Sequence, residues 1–132
     1  MIYLDSNVFI YACLNSDDIG ERSRNLLSSI EDGSLEASTS TLSFDELTWA
    51  VKRYRDIDQA VSAGEAFINM PRLNLVSVDE KVLRASLDIM SKYALDPRDS
   101  IHAASAILCK ADAIVSTDPH FDSVKELPRK QL

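Results

Sequence analysis

The chain has 132 residues, 45% hydrophobic and 27% charged, with three glycines and four prolines; this is the composition of one globular domain spanning 1–132, and it excludes disorder and low-complexity architectures. Fourteen Lys and Arg against 21 Asp and Glu leave a charge of −7, which excludes a grip on nucleic acid by broad phosphate neutralisation. No apolar run approaches the ~18 residues of a membrane span, and Met1-Ile2-Tyr3-Leu4-Asp5 lacks the basic start of a signal peptide, so no membrane association and a cytoplasmic location are expected.

In chain order, Ile2-Tyr3-Leu4 reads as a short buried strand, followed by helices over 7–14 and about 17–31, the second closed by Asp32-Gly33. Leu35-Glu36-Ala37-Ser38 is a weak strand. Helices are predicted over 41–55 and 58–70, the latter stopped by Pro71, and a strand over 73–78. An amphipathic helix over 79–94 carries Val82, Leu83, Leu87 and Met90 at helical spacing. The run 97–110 is helical and apolar enough to be buried on most sides. Ala113-Ile114-Val115-Ser116 is a strand, and a turn of helix with a last strand near Val124 closes the chain. Cys13 and Cys109 sit in apolar stretches with no CxxC and no neighbouring histidine, and read as buried small hydrophobes.

Strands alternating with helices give βαβ units, hence an α/β domain with a mostly parallel sheet covered on both faces. Every parallel strand then ends at the same edge, where such folds bind ligands. Asp5 follows the first strand and Asp118 follows the strand at 113–116, so topology alone brings two distant acids to one edge. Each also has a simpler reading: Asp5 caps the helix that begins near Asn7, and Asp118 with Pro119 makes a well-formed helix start. Asp99, in Asp96-Pro97-Arg98-Asp99, resembles the far end of a capping box.

Glu46 is harder to explain by local structure. It lies in register with Ser43, Leu47, Ala50, Val51 and Tyr54 on the stripe of its helix that should face the core. A carboxylate there must bend to solvent or find a partner, because an unpaired buried charge costs several kcal/mol. Four carboxylates converging without a Lys or Arg beside them would repel one another. A divalent cation resolves that conflict, and an all-oxygen donor set suits Mg²⁺ or Mn²⁺. The residues thus point to metal-dependent phosphoryl transfer or hydrolysis, with the substrate left open.

The motifs resemble those of the PIN domain family, and in particular its small VapC-type toxins. Tyr3-Leu4-Asp5-Ser6-Asn7 resembles the first motif, Glu46 in Phe44-Asp45-Glu46-Leu47 the second, Asp99 in Arg98-Asp99-Ser100-Ile101-His102-Ala103-Ala104 the third, and Ser116-Thr117-Asp118-Pro119-His120-Phe121 the fourth. The resemblance spans essentially the whole chain. It implies a three-layer α/β/α sandwich and a Mg²⁺- or Mn²⁺-dependent endoribonuclease. It further implies Asp5, Glu46, Asp99 and Asp118 as catalytic metal ligands, a homodimer, and a cognate antitoxin as partner. Asp122 resembles an additional acid of some members, and Asn7 and Thr117 resemble polar residues that support the ligands.

Other groups carry weaker signals. Lys52, Arg53 and Arg55, around Tyr54, form the only compact basic cluster and are candidate RNA contacts; cations at a helix C-terminus are also favoured by its dipole. Residues 1–51 hold nine acids against only Arg22 and Arg24, read as a solvated acidic face. His102 reads as a structural histidine in a buried helix, and His120 has no assigned role. Two further readings remain open: a PIN scaffold used outside a toxin pair, for RNA processing or as an inactive binding module, and a phospho-receiver domain. The receiver would need Asp79 as acceptor and a Lys after the late strand, which Ala113-Ile114-Val115-Ser116-Thr117 does not supply.

Overall fold

The computed structural model describes residues 1–132. The elements run β1 (Ile2–Leu4), α1 (Ser6–Leu14), α2 (Asp18–Glu31), β2 (Ala37–Ser40), α3 (Leu42–Tyr54), α4 (Ile57–Ile68), β3 (Leu73–Val76), α5 (Glu80–Tyr93), α6 (Pro97–Leu108), β4 (Ala113–Val115), a 3₁₀ turn (Pro119–Ser123) and β5 (Arg129–Lys130). No helix is long and apolar enough to cross a membrane.

The five strands are all parallel, in the order β3-β2-β1-β4-β5. The chain winds outward from β1 to β2 and β3, then restarts on the other side with β4. The order therefore reverses between β1 and β4, and a crevice opens there at the carboxyl ends of the strands. The register sets Leu4 beside Val115, so the residues leaving these two strands emerge side by side.

Alternation along each strand builds two cores. Leu4 and Val115 face one side with Val8, Phe9, Ile30, Leu47, Val51 and Phe67, under α1 to α4. Tyr3 and Ile114 face the other with Ala103, Ala106, Phe121, Val124 and Leu127, against α6 and the C-terminal segment. Phe9 and Phe67 meet edge to face at 5.0 Å. Helices α3 and α4 approach closely at Gly64, where a Cβ would lie 2.9 Å from Phe44.

The elements differ from the sequence expectation in several places. The second strand is Ala37–Ser40, two residues later than predicted, because a central strand between two neighbours is buried even when it is built from Ala, Ser and Thr. The last strand is Arg129–Lys130; Val124 is instead a buried core residue. Tyr54 ends α3 exposed, beyond the reach of the core. In α5 the inward face carries Val82 and Ser86, and Leu83 and Leu87 are exposed, since small Ser86 lets the helix pack close to the Ala-rich α6. Cys13 is exposed and Cys109 half-buried, so the expectation that both are buried fails; neither is paired. The acids of the N-terminal surplus, Asp17, Asp18, Glu21, Glu31, Asp32 and Glu36, are all exposed.

Candidate active site

The crevice between β1 and β4 is where the acids gather. Asp5 leaves β1 and is almost fully buried; Oδ1 accepts from the Ser6 amide at 2.8 Å and Oδ2 from Ser116 Oγ at 2.7 Å. It is thus both the cap of α1 and a group held facing the crevice. Ser116, the first residue after β4, also accepts from the Asp118 amide at 3.0 Å and is itself fully buried. One hydroxyl therefore ties the two strand-end acids together. The sequence reading missed it, choosing Thr117 instead; Thr117 Oγ1 bonds the Tyr11 hydroxyl at 3.1 Å and no acid. Asn7 Nδ2 stands 3.5 Å from Asp5 Oδ2.

Asp99 enters from the first turn of α6, placed there by Pro97 at the helix start. Its ligand atoms and those of Asp118 and His120 lie within 4.8 Å of one another. His120 Nδ1 and the His120 amide each lie 2.9 Å from Asp118 Oδ1. Burial, the Asp118 charge and the Asp5 charge push the Asp99 carboxyl up to about 6. Burial likewise raises Asp5, against the pull of His102 and the Ser116 hydrogen bond.

Glu46 reaches the site from α3, in register with buried Ser43, Leu47 and Ala50 as its spacing predicts. Its partner is His102, whose Nε2 lies 2.5 Å from Glu46 Oε1 and 3.8 Å from Asp5 Oδ1. The other ring nitrogen bonds the Tyr3 hydroxyl at 2.8 Å. Burial raises Tyr3 above its ordinary value, so this phenol stays protonated and is available to donate to Nδ1, leaving Nε2–H for the glutamate. His102 is 1% exposed. Burial lowers its pKa, but the bond to Glu46 and the Asp5 charge outweigh that and carry it above the ordinary imidazole value. It is buried, as the sequence suggests, and its ring stands between Glu46, which it bonds, and Asp5.

Asp122 is engaged elsewhere. Both its oxygens are taken by Arg129, at 2.8 and 2.9 Å, and Arg129 also donates to the Ser116 carbonyl at 3.1 Å. The basic cluster is divided: Arg55 donates to the Leu14 and Tyr54 carbonyls, Arg53 lies over the Trp49 and Tyr54 rings, and Lys52 lines the groove between α3 and α4.

The donor set fits a hard divalent cation. Asp5, Asp99 and Asp118 are oxygen donors of like charge, and burial and mutual repulsion push two of them, Asp5 and Asp99, toward the protonated form, a penalty that a bound cation would offset. Such a cluster is a candidate centre for metal-assisted chemistry on phosphate esters.

An all-parallel α/β/α sandwich with acids at its switch point defines the class, and comparison with known proteins gives the family. The PIN domain family matches residues 2–127, and the chain belongs to it. The chain is 27% identical over 128 residues to ribonuclease VapC7 of Mycobacterium tuberculosis, covering 96% of this chain and 88% of that protein. Its fold is similar to that of VapC20 of Mycobacterium tuberculosis, a toxin cleaving the sarcin–ricin loop (TM-score 0.79, 13% identity, 95% of each chain). It is also similar to VapBC2 from Rickettsia felis bound to a promoter DNA fragment (TM-score 0.75, 20% identity, 99% of this chain and 98% of that one).

Proposed function

We propose that this chain is a Mg²⁺- or Mn²⁺-dependent endoribonuclease, a VapC-type toxin controlled by an antitoxin. The observation that carries the reading is the convergence of Asp5, Asp99 and Asp118, with Glu46 behind them, at the β1/β4 switch point. Asp5, Asp99 and Asp118 would hold the ion, and Glu46 would close the site. When bound, the ion supplies charge neutralisation at the scissile phosphate and lowers the pKa of an attacking water. The chain's own part is placement. Ser116 fixes Asp5 and the Asp118 backbone, and His102 holds Glu46 through a chain that ends at Tyr3. The tight packing of small residues along α6 keeps Asp99 at the crevice.

An antitoxin partner is supported by two observations. Solved relatives of this fold include toxin–antitoxin complexes, among them one from Klebsiella pneumoniae. The chain also leaves Phe44, Ile57, Val61 and Ile68 lining an exposed apolar groove of about 410 Å³ between α3 and α4. Homodimerisation is supported by the exposed apolar pair Leu83 and Leu87 on α5, and a cytoplasmic location follows from the same family reading. The test is cleavage of single-stranded and structured RNA in Mn²⁺ or Mg²⁺. Wild type is expected to cut, and to stop with chelator or with Asp99→Asn. An Asp99→Asn trace identical to wild type would remove the activity from this site.

A further inference from the structure

We propose that the cavity beside Glu46 is a nucleotide subsite, in which a base next to the scissile phosphate stacks on Trp49 while Arg98 holds the adjoining phosphate. The proposal rests on the nuclease reading above for its ligand class and adds where that ligand lies. The cavity has a volume of about 140 Å³ and is lined by Ile10, Asp45, Glu46, Trp49, Ala50 and Arg98. It therefore opens directly from a candidate catalytic acid.

Helix α3 explains how the subsite is built. Glu46, Trp49, Ala50 and Arg53 stand at i, i+3, i+4 and i+7, one ridge that starts at the site and runs outward. Trp49 is 61% exposed, a large apolar ring left in water one helical turn beyond the acid, ~5 Å along the axis. The Arg53 guanidinium lies over that ring, 5.4 Å from its centroid. On the facing wall, exposed Arg98 immediately precedes Asp99 in the first turn of α6. Each wall thus pairs one candidate ligand of the cation with one group that suits a nucleotide: an indole for a base face, a guanidinium for a phosphate. Asp45, on the same cavity, is an acceptor suited to a base's exocyclic amino group. In a chain of net charge −7, these local groups and the bridging cation supply the attraction that the overall charge does not.

Trp49 is the only tryptophan of the chain, so tryptophan emission reports on this one side chain, which borders both this cavity and the groove between α3 and α4; the Arg98→Gln variant, on the cavity only, tells the two apart. The experiment mixes wild-type protein with single-stranded RNA decamers in Mg²⁺ and follows tryptophan emission by stopped flow, before cleavage accumulates. Affinity for the same RNA, labelled, is read by anisotropy for Trp49→Ala, Trp49→Phe and Arg98→Gln. Expected are saturable quenching, a roughly five- to 150-fold weaker affinity in Trp49→Ala, and recovery of most of it in Trp49→Phe. Circular dichroism should show all variants folded, since both side chains are exposed. Absence of quenching, or a Trp49→Ala affinity equal to wild type, overturns the subsite. If RNA is still cut in that case, the nuclease reading stands and the Trp49 face is left to a protein partner. Quenching with no cleavage would keep the subsite and sink the nuclease reading instead.

Discussion

Asp99 lets the cost of assembling the site be measured without any substrate. Burial and the Asp118 and Asp5 charges raise its carboxyl from 3.8 to about 6 in the folded chain. At ~1.4 kcal/mol per pKa unit, that shift would amount to ~3 kcal/mol for an enclosed group. Asp99 is only half-buried, and solvent screening brings the cost to ~1.5 kcal/mol. An acid in the first turn of α6 is also favoured by the helix dipole, which Asn forfeits, by ~0.5 kcal/mol. The net expectation is that Asp99→Asn stabilises the metal-free protein by ~1 kcal/mol at pH 7, or roughly 3–5 °C in Tm. Because the folded-state pKa lies above the unfolded one, the penalty exists only for the ionised form. It is absent below about pH 4, where the carboxyl is protonated in both states, grows between about 4 and 6, and is complete above. Thermal denaturation of both proteins in chelator, from pH 4 to 7.5, measures the difference directly. Adding Mn²⁺ should then raise the wild-type Tm and leave the variant nearly unmoved. A variant no more stable than wild type at pH 7, or one whose gain is undiminished at pH 4, would refute the reasoning.

Two further substitutions probe how the acids are held. Ser116→Ala strips partners from Asp5 Oδ2 and the Asp118 amide and is expected to cost ~2 kcal/mol in urea unfolding, whereas Thr117→Ala should cost under ~1 kcal/mol because it loses only the Tyr11 contact. His102→Leu leaves Glu46 and the buried Tyr3 hydroxyl unpartnered, and a roughly 10- to 100-fold loss of Mn²⁺ affinity is expected by calorimetry; unchanged affinity would show that Glu46 needs no support.

Much of this site could be read from residue order. Glu46 was visible because an acid in register with Ser43, Leu47 and Ala50 has no simple solvent-facing explanation. Asp5 and Asp118 were visible because parallel strands deliver their ends to one edge. What stayed hidden depends on side-chain direction at chain turns. Whether Ser116 or Thr117 faces Asp5 is decided by the last peptide of β4, and hydroxyl chemistry is the same in both. His102 looks like core because it is core; only the three-dimensional approach of Glu46 from α3 shows that its ring spans Glu46 and Tyr3. Asp122 shares a short turn with Asp118, yet Arg129, brought back by β5, claims both of its oxygens. Apolar spacing also misled at Leu83 and Leu87, where a helix packs through its small residues and leaves its leucines outside.

The most direct test of the central claim is Mn²⁺ binding by calorimetry on the wild type and on Asp99→Asn, Asp118→Asn and Asp122→Asn. The four-carboxylate account predicts saturable binding to wild type, loss of at least tenfold in affinity for the first two variants, and near-wild-type binding for Asp122→Asn, whose carboxylate is engaged by Arg129. No measurable binding to wild type, or equal affinity in all four proteins, would contradict it.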